Sequence, residues 1–200
     1  MKHATTKLAT TIVLFSLLVS TNAQGADPLG LYVGAGGGHA DLRVDPVTCG
    51  ALNCSNATAT GWTAFAGLQP LPFLGAEFQY LNFGHTAQGI AGPYPYYHSA
   101  HALAVFATGA VPLRFVDLYA KAGAGVVYTD VSTLVVDGIE CILHICEQTE
   151  AQHATRFGWG LGARFKLPEL SSLALRAEYV RFSVPSGDPS LLSVALLWKF

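Results

Sequence analysis

The chain has 200 residues, of which 51% are apolar and only 12% charged, where a typical soluble domain carries about 25% charged residues. Its 11 basic and 13 acidic side chains leave a formal charge of −2, which excludes the strongly basic footprint of a nucleic-acid partner. A surface facing lipid accounts for the deficit of solvent-facing groups.

At the amino terminus Lys2, His3 and Lys7 precede an apolar run from Leu8 to Val19 and then the small residues Ser20 to Ala23. This order is that of a secretory signal peptide, and the run is too short to cross a bilayer, which takes ~20 residues. Cleavage is expected after Ala23, with Gly25 an equally good site, dividing the chain into a signal peptide (1–23) and one domain (24–200). Loss of Lys2 and Lys7 leaves nine basic residues against 13 acidic ones, a charge near −4. Every later apolar segment is broken by Gly, Pro or a charge well before ~20 residues. Only a closed barrel is then left to cross a membrane, because an open sheet leaves unpaired backbone groups at its edges.

Eight strands are expected, at about 30–44, 60–69, 73–84, 98–111, 115–130, 153–166, 172–184 and 190–200. Short turns fall at Pro70-Leu71-Pro72, Pro112-Leu113-Arg114 and Leu167-Pro168-Glu169, where proline's missing donor does no harm. Longer loops occupy about 45–59, 85–97, 131–152 and 185–189. Short turns alternating with long loops is the layout of an outer-membrane barrel. In the fifth strand Leu118, Ala120, Ala122, Ala124, Val126 and Tyr128 oppose Tyr119, Lys121, Gly123, Gly125, Val127 and Thr129. In the sixth, Thr155, Phe157, Trp159, Leu161, Ala163 and Phe165 alternate with Ala154, Arg156, Gly158, Gly160, Gly162 and Arg164. One face suits lipid, and the other is mostly glycine with isolated charges. The last strand repeats the pattern, with Leu192, Val194, Leu196, Trp198 and the terminal Phe200 on a single face.

Five segments in order carry a resemblance to a known family: Gly30-Leu31-Tyr32-Val33-Gly34-Ala35, Gly75-Ala76-Glu77-Phe78-Gln79-Tyr80, Asp117-Leu118-Tyr119-Ala120-Lys121-Ala122-Gly123, Leu175-Arg176-Ala177-Glu178-Tyr179 and Trp198-Lys199-Phe200. Over nearly the whole mature chain the sequence resembles the OmpA-like membrane domain, an all-β, eight-stranded antiparallel up-and-down transmembrane β-barrel. The peptidoglycan-binding domain of longer members is not expected. The resemblance implies an outer-membrane location, and it implies that Val194, Leu196, Trp198 and Phe200 belong to the terminal strand used in membrane insertion. By the family's parity Glu77, Lys121, Arg164, Arg176 and Glu178 point inward and form one interior charge network. The resemblance also implies an interior salt-bridge cluster that obstructs a continuous water path; Arg164 stands where the family pattern has an acid, and Thr108 where it has a lysine, so the obstruction is expected to be rearranged or leaky. The implied partners are outer-membrane lipids, the barrel-assembly machinery during insertion and a surface ligand held by the outer loops; a monomer is expected.

Cys49 and Cys54 lie in the first long loop, Cys141 and Cys146 in the third. In an oxidising periplasm each local pair is expected to form its own disulfide, favoured over the two cross-pairings and over a zinc site on Cys141, His144 and Cys146. His98 and His101 fall on opposite faces and do not chelate one ion together. Gly34, Gly36, Gly37 and Gly38 imitate a phosphate loop but lead into no helix, so they read as small interior positions. No metal or cofactor is expected.

Ser99, His101 and Asp130 share the outward face near the rim in the right types for a hydrolase, but in the reverse order of the motif of lipid A deacylases. The third loop mixes Leu134, Val135, Val136, Ile139, Ile142, Leu143 and Ile145 with four acids, as an extended hairpin or a recognition patch would. The leading expectation is a non-enzymatic barrel with an envelope-integrity or surface-interaction role. A narrow channel for small solutes and a lipid A-modifying enzyme are the alternatives. Eight strands enclose only enough room for side chains to fill, which excludes a wide porin lumen.

Overall fold

The structure, a computed structural model, describes residues 29–42, 57–91, 94–135, 146–167, 170, 172–184 and 188–200. Eight antiparallel strands run in chain order around a closed barrel: β1 (Tyr32–Leu42), β2 (Ala57–Leu71), β3 (Leu74–Ala91), β4 (Tyr94–Pro112), β5 (Val116–Val135), β6 (Cys146–Lys166), β7 (Leu173–Phe182) and β8 (Ser190–Lys199). Closure comes from β1 pairing with β8, in a ladder from Tyr32↔Lys199 to Asp41↔Ser190. No strand edge is then left open. Among the described residues no helix is long and apolar enough to cross a membrane.

The dyad pattern sorts the side chains as the sequence anticipates. On β8, Leu191, Ser193, Ala195 and Leu197 are buried, while Leu192, Val194, Leu196 and Trp198 are each more than half exposed. The same alternation on β3 turns Glu77, Gln79, Leu81 and Phe83 inward and leaves Phe78 outward.

The strands differ from expectation in length. β3, β4, β5 and β6 have 18, 19, 20 and 21 residues, whereas β7 and β8 have ten each. About 9–11 residues suffice to cross a membrane. Much of the segments read as loops at 85–97 and 131–152 therefore continues the ladder, through Ala91↔Tyr94 and Val135↔Cys146. The reason lies in the residues: Ile90, Tyr94, Tyr96 and Tyr97 in one hairpin, and Val131, Thr133, Leu134 and Val135 in the other, are strand formers that keep pairing beyond the barrel wall. Irregularities mark the β3 exit, where the register shifts between Asn82 and His85. Gly84 takes φ +75° there and donates its N–H to Asn82 Oδ1 at 2.8 Å. A side chain at that position would be strained, so glycine allows the bulge.

Two ends of the barrel follow. Both termini of the described barrel and the short turns β2–β3, β4–β5 and β6–β7 gather at one, and the long hairpins β3–β4 and β5–β6 rise from the other. Residues 1–23, read as a signal peptide from the sequence, and Cys49, Cys54 and Cys141 lie outside the described residues, as does the side chain of Cys146, so the expected disulfides are not placed.

Candidate functional site: the barrel interior

Inward-facing residues fill the barrel in two layers. Nearer the terminal end lies an ionic layer built from inward parity positions of β1, β2, β3, β5 and β7. The Arg176 guanidinium grips Glu77 with two hydrogen bonds, Nη1 to Oε2 at 2.5 Å and Nη2 to Oε1 at 2.8 Å, and Nη2 also donates to Glu178 Oε2. Lys121 Nζ lies 2.9 Å from Glu77 Oε1 and 2.9 Å from Glu178 Oε2, and donates to Gln79 Oε1. Two carboxylates thus meet two cations, and the cluster is neutral. Its remaining acceptor positions are taken by hydroxyls and amides: Tyr32 donates to Glu77 at 2.9 Å, Tyr119 to Glu178 at 2.6 Å, and Gln79 Nε2 to Glu178 Oε1 at 2.9 Å and to Thr63 at 2.8 Å. Buried ions need this degree of satisfaction to offset their lost hydration. The arginine also lies flat over aromatic faces, 4.0 Å from the Phe65 ring centre and 4.9 Å from that of Tyr119.

All five charges expected inside are buried there. Four of them form the cluster, and Arg164 does not join it. Its Nη1 donates to Gln69 Oε1 at 2.6 Å, and its guanidinium stacks over Tyr119 at 4.8 Å and Tyr32 at 5.6 Å. With both acids already matched by Arg176 and Lys121, the third cation is held by an amide and π faces on the terminal side of the network. Thr108 is buried and uncharged on the same wall.

Above this, toward the hairpins, lies a layer that the sequence reading missed. Leu42, Leu81, Phe83, Phe106, Val127, Val180, Phe182 and Leu191 form a continuous apolar core with Ala40, Ala100, Ala102 and Ala104. Phe83 packs edge-on to Phe182 with ring centres 6.2 Å apart, and Phe106 lies 6.1 Å from Phe182. The layers join where Lys121 Nζ sits 4.5 Å above the Phe106 ring. The available signal was parity: counting by twos from Glu77 passes through Gln79 to Leu81 and Phe83 on the same inward face.

Outside, a row of rings crosses five strands near the hairpin end. Trp62 lies 5.0 Å from Tyr80, Tyr80 6.2 Å from His101, His101 4.8 Å from Tyr128 in a parallel stack, and Tyr128 6.0 Å from His153. Phe73, Phe115, Phe165, Trp198 and Phe200 are exposed toward the other end. Two aromatic girdles bounding an apolar band are how a barrel meets its two membrane interfaces. His101 belongs to that girdle. Ser99 and Asp130 are direct cross-strand partners, yet His101 pairs with Tyr128, and among the described residues no hydrogen bond joins the three into a relay.

A closed antiparallel barrel with an apolar belt, girdled ends and a filled interior defines a transmembrane protein of the bacterial outer membrane. Residues 11–200 match the family described as outer membrane protein beta-barrel domain, and the chain belongs to that family. Among solved structures it is similar to Neisserial surface protein A (NspA), with 17% identity, TM-score 0.59, and coverage of 88% of this chain and 100% of that one. It is also similar to Ail, the attachment invasion locus protein of Yersinia pestis, solved with the heparin analogue sucrose octasulfate (12% identity, TM-score 0.58, 86% and 99% covered). A third likeness is to the outer membrane protein OprG from Pseudomonas aeruginosa (8%, TM-score 0.59, 86% and 96%). No curated protein matches the chain. In this family short turns face the periplasm and long loops the exterior, so the terminal end is periplasmic and the hairpin end extracellular.

Proposed function

We propose that the chain is a sealed, non-conducting scaffold that serves envelope integrity and carries the β3–β4 and β5–β6 hairpins above the outer membrane for surface interaction. The observation that carries this reading is the double stopper in the lumen, an apolar layer seated on a neutral ion cluster. In the first, water meets only apolar side chains, and in the second only Arg176 Nε is left without a partner. The hairpin strands support the second half of the reading, since their excess of about ten residues over a membrane crossing, at ~3.3 Å per residue and a tilt of ~40°, projects ~25 Å above the membrane. NspA and Ail, a surface protein and an attachment protein by name, have the same architecture.

Planar-bilayer recording of the refolded protein tests the seal. No steady conductance above the lipid baseline is expected, and reproducible unitary openings overturn the reading. Cutting both hairpins back to the level of Gly84 is expected to leave a heat-modifiable barrel while removing the chain's contribution to cell-surface binding. Unchanged binding by the shortened chain overturns the surface role.

A further inference from the structure

The periplasmic mouth carries more positive charge than the interior network uses. Arg114 in the β4–β5 turn, Lys166 at the end of β6 and Lys199 at the end of β8 line one concave pocket, walled by Phe115, Leu167 and Leu173. Lys166 is already engaged, with Nζ 2.7 Å from Asp117 Oδ1 and 2.9 Å from the Leu113 carbonyl oxygen that accepts its hydrogen bond. Lys199 is close enough to feel the charges of Asp117, Arg164 and Lys166. Arg164, 2% exposed, keeps a buried Nε without a hydrogen-bond partner. Among the described residues, Arg114, Arg164, Lys166 and Lys199 at this end therefore outnumber Asp117, the acid that Lys166 engages. Arg114 is set by stacking, its guanidinium 5.0 Å from the Phe115 ring centre. Phe115 is itself 63% exposed and continues outward into the exposed Val111 and Phe165 of the lipid-facing band.

A cationic pocket whose apolar wall runs into the lipid surface fits one class of ligand, an anion covalently attached to acyl chains. We infer that the periplasmic mouth is a binding site for an anionic phospholipid of the inner leaflet. The phosphodiester sits between Arg114 and Lys199, and the chains descend the barrel wall past Phe115. The arginine fork suits phosphate oxygens, and the juxtamembrane location supplies the ligand at high local concentration. A zwitterionic phospholipid brings its own ammonium among the cations and is disfavoured.

Native mass spectrometry of the full barrel released from detergent containing equal amounts of phosphatidylglycerol and phosphatidylethanolamine tests the site. Preferential retention of phosphatidylglycerol is expected, falling about fivefold for each cation removed in Arg114→Gln and Lys199→Gln. Arg114→Gln lies in a turn and leaves the ladder intact, so heat-modifiable migration should be unchanged. Arg181→Gln, at the opposite end, should retain lipid as the parent does. Equal retention of the two lipids, no loss in either mouth variant, an equal loss in Arg181→Gln, or displacement of the lipid by glycerol phosphate at matched concentration would each overturn the proposal.

Discussion

The two halves of the lumen solve one problem with opposite chemistry. The extracellular half excludes water by packing Phe83, Phe106 and Phe182 against Leu42, Leu81 and Leu191. The periplasmic half is filled instead by Glu77, Lys121, Arg176 and Glu178, bonded to one another and to Tyr32, Tyr119 and Gln79, with only Arg176 Nε left unpaired. The difference teaches where the fold is vulnerable. An apolar layer loses contacts in proportion to what is removed, whereas an ionic layer deprived of one member keeps an uncompensated charge in a dry site. The apolar layer worsens that penalty, because it keeps water from rehydrating the orphan.

The largest effect expected is therefore at Arg176. Arg176→Ala leaves two carboxylates facing only Lys121 and should cost about 3–5 kcal/mol of unfolding free energy, read from urea transitions of the barrel in lipid vesicles. Leu191→Ala, in the other half, should cost about 2–3 kcal/mol and leave the bilayer silent, since the ion cluster beneath it is untouched. Equal costs would break the distinction between the halves. Gly162→Ala sharpens it at smaller scale. A methyl on Gly162 would lie 2.5 Å from the Tyr119 ring end and 2.6 Å from the Ala177 carbonyl oxygen, so Tyr119 must move away from Glu178 and the β7 backbone must give as well. The expected cost is about 1–2 kcal/mol. It should shrink when Tyr119 is already Phe, the non-additivity expected of residues sharing one network.

How much of this was readable beforehand depended on whether a residue's chemistry reveals its direction. Glycine and charge alternating with large apolar groups in 115–130 and 153–166 identified lumen and lipid faces unambiguously, and from there the inward direction of Glu77, Arg176 and Glu178 followed by family parity. Phe83 and Phe182 carried no such mark. A phenylalanine is equally at home against lipid and in a core, so only its distance in twos from a charged residue reveals which it faces. Arg164 was read on the correct face but with the wrong partners: parity gives the side but not the partner, and both acids are already matched by Arg176 and Lys121. The hairpins were read as loops because strand pairing above the membrane needs no lipid-facing alternation, the pattern that delimited the other strands.

Arg181 supplies the smallest effect and the cleanest contrast. It lies five residues beyond Arg176 on β7, an odd separation, so the two guanidiniums leave the strand on opposite faces. Each holds a carboxylate at similar distance, Arg181 Nη2 meeting Asp188 Oδ2 at 2.5 Å as Arg176 Nη1 meets Glu77 Oε2. Yet the Arg181 side chain is 31% exposed and that of Arg176 is 1% exposed. Water and salt screen the outer pair and rehydrate whichever partner is left. Arg181→Ala should thus cost under about 1 kcal/mol, a loss that fades further at high ionic strength, while that of Arg176→Ala persists. The outer pair also bridges β7 to the segment before β8 through Asp188 Oδ1, which accepts the Val184 N–H at 2.9 Å. Deleting Arg181 leaves that backbone bond in place, whereas Asp188→Ala removes both and should be the more costly of the two.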